Sequence, residues 1–133
     1  MFGDGLDTAR VRLLALPVWP RAFVAGSRLI VWPARAAPRD FGQAPLAAQA
    51  VFVHELTHVW QAQNGVRLLW AKLRAGDRTA AYAYDLAHGP AFRDLNIEQQ
   101  AMVVEHAFLA SRGVPAPFPP HLYAEAATAW RRA

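Results

Sequence analysis

The chain has 133 residues, of which 54% are hydrophobic and 18% charged, none is cysteine, and the formal net charge is +4. That length suits one domain able to bury a core without covalent staples. The lack of cysteine excludes both a disulfide framework and a thiolate metal site, so any metal must be held by His, Asp, Glu or water. Thirteen of the 14 basic residues are arginine, scattered from Arg10 to Arg132 with no dense block, which is not the footprint of a nucleic-acid binder.

The first residues, with Asp4, Asp7, Arg10 and Arg12, do not read as a secretory signal. The apolar run at 13–19 is far too short to span a membrane. No nucleic-acid or membrane partner is expected. The expected location is the cytoplasm, with which the absence of cysteine is compatible, or a destination reached through a dedicated secretion system.

Residues 23–32 read as a hairpin turning at Gly26-Ser27. Asp40, followed three residues later by Gln43, is one helix-start signal. Pro45, suited to a first helical turn, is another. The helix is expected to run to about Gln63 and to end at Asn64-Gly65. A second short helix is predicted at 66–75. Tyr82, Tyr84 and Leu86 alternate with Ala83 and Asp85, the period of a strand, and His88-Gly89-Pro90 then turns the chain. Asn96 is a good N-cap for a helix over 97–111, closed by Gly113. Prolines 115, 117, 119 and 120 form an extended connector to a C-terminal helix at 121–132, which either docks on the body or reaches a partner. The expected division is a main domain over 1–114 and a connector with short helix over 115–133. The fold class is α+β, with two principal helices and a small sheet.

The chemistry is concentrated in His54-Glu55-Leu56-Thr57-His58. Histidines four residues apart on a helix share one face, so two imidazole nitrogens converge on one point. Zinc accepts such nitrogens at about 2.0–2.1 Å and brings the pKa of a water down towards about 7. Glu55, next to the first histidine, is placed to take that water's proton. Val51-Phe52-Val53 before the motif and Val59-Trp60 after it set this polar pair in a very apolar helix.

A catalytic zinc needs a third protein ligand and an open position. Glu98 and Glu105 return to nearly one face of the 97–111 helix. Glu98, in the first turn, is the preferred ligand, and Glu105 the alternative or an acceptor for a ligand histidine N–H. For a donor to a developing oxyanion the candidates are Tyr82, Tyr84 and His88, with Tyr84 the first choice. His88 otherwise reads as a solvated turn residue, His106 as off the ligand face, and His121 as exposed; Gln61 is able to hydrogen-bond into the site, a solvated helix end being its more ordinary reading. Trp19, Trp32, Trp60, Trp70 and Trp130 are spread along the chain, which argues for packing rather than an aromatic binding surface.

His54-Glu55-Leu56-Thr57-His58-Val59-Trp60-Gln61, followed by Asn96-Ile97-Glu98-Gln99-Gln100-Ala101, resembles a family of small bacterial zincin-type domains, Vgr-related putative metallopeptidases linked to Rhs elements and contractile injection systems. The resemblance covers residues 22–110. It implies a compact gluzincin-like fold with His54, His58 and Glu98 as zinc ligands and Glu55 as general base. It implies Zn2+ as cofactor, a protein or peptide substrate, and Vgr, Rhs or other secretion-system proteins as partners. The chain departs from larger peptidases in showing no long substrate-binding subdomain. The expected activity is peptide-bond hydrolysis, as a processing protease or an effector. The alternative is a non-catalytic zincin scaffold serving as an assembly module of a secretion apparatus.

Overall fold

A computed structural model describes residues 1–76 and 78–131. Strand β1 is Arg12–Leu16, β2 is Phe23–Ala25 and β3 is Leu29–Pro33. They form one mixed sheet in the order β1-β3-β2, with β1 parallel and β2 antiparallel to β3. The expected hairpin is the β2–β3 pair. Its loop turns at Gly26, whose φ of 67° lies where a side chain is disfavoured. Ile30, Val31 and Trp32 are all buried, as suits the central strand. β1 was not expected. Its residues are mostly exposed, so no burial period marks it in the sequence.

Helix α1 is Leu46–Gln63, α2 is Leu68–Ala75, α3 is Ile97–Ser111 and α4 is Pro120–Arg131. Each lies where the sequence placed a helix. Arg132, the last residue of the predicted C-terminal helix, falls outside the described residues. Pro45 is the N-cap of α1, and Asp40 does not start the helix. The Asp40 carboxylate instead accepts from Gly42 N at 2.7 Å, closing a local turn. At the far end Asn64 caps α1 and Gly65 follows with φ 90°. α3 begins in a capping box: Asn96 Oδ1 accepts from Gln99 N at 2.9 Å, and Gln99 Oε1 accepts from Asn96 N at 3.0 Å. This box fixes the first turn of α3, and hence Glu98.

The strand predicted from Tyr82, Tyr84 and Leu86 does not form. Thr79–Ala81 is a short 3-10 turn and the chain then runs irregularly. The reason lies in its backbone acceptors: Gln99 Nε2 donates to Ala83 O within the segment, and Asn96 Nδ2 donates at 3.0 Å to Ala81 O just before it. The N-terminus of α3 takes the acceptors a sheet partner would need.

α1 and α3 pack as the central pair, and α4 docks on α3. Val59, Val103 and Val104 are fully buried between them, joined by Trp60, Phe92, Tyr123, Ala127 and Trp130 in one core. Burying each such valine stabilises by about 1.5–3 kcal/mol. Trp32, Trp60 and Trp130 pack as expected, whereas Trp19 and Trp70 are exposed.

Candidate metal centre

α1 presents His54 and His58 from successive turns, their ring centroids 5.0 Å apart. The first turn of α3 delivers Glu98, 1% exposed, against both. Glu98 Oε2 lies 3.4 Å from His54 Nε2 and 3.3 Å from His58 Nε2. One donor atom from each of the three residues falls within 4.8 Å of the others.

What stands behind each histidine decides what it offers in front. His54 Nδ1 is 3.0 Å from Glu105 Oε2, and His58 Nδ1 is 2.8 Å from Gln61 Oε1. Both partners are acceptors, so each Nδ1 carries the hydrogen and donates it, and each Nε2 is left with a lone pair aimed at Glu98. Three electron-pair donors thus converge in a buried place. Zinc bonds of about 2.0–2.1 Å in a tetrahedron give ligand–ligand edges of about 3.3–3.4 Å, which the observed separations match. Glu98 Oε1 is also buried without a hydrogen-bond partner. The donor set therefore fits a divalent cation with nitrogen and oxygen preference. Although burial works against the charge, Glu105 and Glu98 hold the His54 imidazolium up to a pKa of about 9. Burial opposes Glu98 too, yet its contacts with His54 and His58 hold its carboxyl well below the usual range.

Of the two carboxylates left open by the sequence, Glu98 faces both Nε2 atoms and Glu105 faces a Nδ1. Gln61, read as a solvated helix end, is fully buried and ties the two helices together. Its amide donates to Ile97 O and to Gln100 Oε1, each at 2.9 Å, while its oxygen orients His58. Gln100 in turn donates to Phe92 O at 3.1 Å. Its position three residues after His58, on the same helix face, was the available signal.

Glu55 is buried, and burial raises its pKa against the lowering influence of His58, His54 and Lys72. Glu55 lines the same cavity of about 710 Å3 as His54, His58 and Glu98. Trp19, Phe23, Trp32 and Val51 form the apolar part of its wall, and Arg21, Lys72 and Tyr82 add polar groups. The cavity is a recess that the sequence did not announce. Lys72, the only lysine, reaches Glu98 Oε1 at 3.6 Å. Tyr84 is placed elsewhere. Its hydroxyl meets His106 Nδ1 at 2.6 Å and Tyr123 Oη at 2.8 Å, its ring packs on Phe118, and Tyr82 is the tyrosine in the cavity wall. His88 and His121 are exposed.

An α+β domain with two helix-borne histidines and a glutamate from a second helix is a zincin-like scaffold with a candidate metal site. No family model matches the sequence. The chain is 33% identical over 121 residues to the type VI secretion system spike protein VgrG2b of Pseudomonas aeruginosa, a match covering 82% of this chain but 12% of that protein. This chain thus spans about an eighth of its curated relative. The solved effector domain of Pseudomonas aeruginosa VgrG2b is similar at 32% identity, with a TM-score of 0.68, over 93% of this chain and 72% of that one. The chain belongs to the family of the VgrG2b effector domain.

Proposed function

We propose that the chain is a zinc-dependent peptide-bond hydrolase that acts as an effector of a type VI secretion system, carried by or with a VgrG spike. The observation that carries the catalytic part is the buried Glu55 carboxylate in the wall of the cavity onto which His54, His58 and Glu98 open. A site meant only for structure has no use for a carboxylate there, and its donors would be closed off by a fourth side chain. The delivery part rests on the kinship with the VgrG2b effector domain.

When bound, zinc would polarise the scissile carbonyl and acidify a water in the cavity. His54, His58 and Glu98 would hold it, with His54 and His58 fixed by Glu105 and Gln61. Glu55 takes the proton from the attacking water and passes it to the leaving amine. Burial makes it a stronger base than an exposed carboxylate. The apolar wall of Trp19, Phe23, Trp32 and Val51 holds an extended segment and excludes bulk water.

The purified chain is expected to carry one zinc per molecule and to cleave an unstructured protein substrate. Glu55→Gln is expected to keep the zinc, measured by elemental analysis, while losing at least about a hundredfold in rate. Expression should slow bacterial growth, and Glu55→Gln should relieve it. Absence of stoichiometric zinc from the purified chain would sink the proposal.

A further inference from the structure

α2 has its amphipathicity reversed. Wound at 3.6 residues per turn, Leu68, Ala71 and Ala75 fall on one face, and these are the half-buried residues turned to the body. Round the rest of the helix come Lys72, Leu69, Leu73, Trp70, Arg74 and Arg67, in that order. The large apolar residues thus point away from the protein: Leu69 is 74% exposed, Trp70 63% and Leu73 69%. A helix that half-buries one leucine and two alanines while exposing Leu69, Trp70 and Leu73 is not explained by folding alone.

The flanks of the stripe say what covers it. Lys72 borders it on one side, Arg74 and Arg67 on the other, and the helix sequence contains no acid. Neither arginine has an ion pair among the described residues. Arg67, Trp70 and Arg74 also line a shallow groove with Gly65 and Ala71. Two guanidinium groups beside an exposed indole suit a phosphate at a lipid–water boundary, where tryptophan rests with one edge apolar and the other wet. A second copy of this chain is a poor occupant, because it would set cations against cations. Among the described residues no helix is long and apolar enough to cross a membrane, and a helix lying in the interface plane needs no such length.

We propose that α2 is a contact for an anionic membrane surface, in which Leu69, Trp70 and Leu73 enter the headgroup region and Arg67 and Arg74 bind lipid phosphates. Lys72 belongs both to this helix and to the cavity wall, and Trp19, exposed, lines the same cavity. The inference rests on α2 alone and stands apart from the reading of the metal site.

Cosedimentation of the 133-residue chain with vesicles tests it. Binding is expected to phosphatidylglycerol-containing vesicles and not to pure phosphatidylcholine, and to weaken with salt. Leu69→Ser with Leu73→Ser should lower the partition coefficient about tenfold or more. Arg67→Gln with Arg74→Gln should lower it about fivefold per arginine. Val18→Ser, at a residue 93% exposed but outside α2, should leave it unchanged. The substituted side chains are exposed, so the variants should keep the circular dichroism of the parent. No binding to anionic vesicles overturns the proposal, as does equal loss with Val18→Ser. A dimer in light scattering that the double serine variant dissolves also overturns it, assigning the stripe to a second copy.

Discussion

At the scale of single residues, the site depends on groups that never touch the metal position. Gln61 Oε1 holds His58 by its Nδ1 hydrogen, and its amide is spent on Ile97 O and Gln100. Replacing Gln61 by Leu frees the imidazole to turn and leaves buried acceptors on α3 unpaired. Zinc affinity, measured by competition with a chelator, is expected to fall about 10–100-fold, and stability by about 1–3 kcal/mol. Glu105→Gln removes a charge but keeps an oxygen able to accept from His54, so a smaller loss of affinity is expected. The histidine pair was legible in the sequence because its spacing alone places both rings on one helix face. Gln61 was open to a bond into the site, but its burial was not legible, because it is made by α3, with Ile97 36 positions away along the chain. The glutamine looked like a helix end because nothing local shows what will cover it.

At the scale of elements, the capping box of α3 and the tyrosine cluster do different work. Asn96→Ala removes the acceptor for Gln99 N and the donor to Ala81 O. It is expected to cost about 0.5–2 kcal/mol in urea denaturation and to weaken zinc binding as well, since Glu98 sits in the turn that loosens. Tyr84→Phe breaks the links to His106 and Tyr123, which join the segment before α3 to α3 and α4. It is expected to cost about 1–2 kcal/mol and to leave zinc affinity alone. Helices were legible because their caps are local: Pro45, Asn64-Gly65 and Asn96 each mark an end by their own chemistry. The sheet was less so. β1 shows no alternation because both of its faces are largely exposed, and the false strand at Tyr82–Leu86 had the right period but lost its Ala83 carbonyl to Gln99.

For the whole molecule, acid and chelators are the two levers. Burial holds His106 below its ordinary pKa, with its Nδ1 2.6 Å from the Tyr84 hydroxyl. Its folded pKa is depressed, so its contribution is fully present above about 6.5 and is lost as the pH falls through the folded value. Over that window the unfolded chain binds more protons, and stability rises with pH. Between pH 7 and pH 5 the urea midpoint of the parent is expected to fall relative to that of His106→Gln. Metal removal acts separately. At a thousandfold excess of zinc over its dissociation constant, binding stabilises by about 4 kcal/mol, so a chelator should lower the melting temperature by several degrees, and should do so much less in Glu98→Ala.

The buried glutamine between the two central helices has one more consequence, for how fast the centre fills. Its bonds to α3 join two backbones that carry all three donors, and they need no ion to form. The apoprotein is then already folded around its donors, and uptake reduces to collision and loss of a proton. In stopped-flow mixing with a divalent ion, the observed rate should climb in proportion to ion concentration without reaching a plateau, and the far-ultraviolet signal of the helices should stay still while it does.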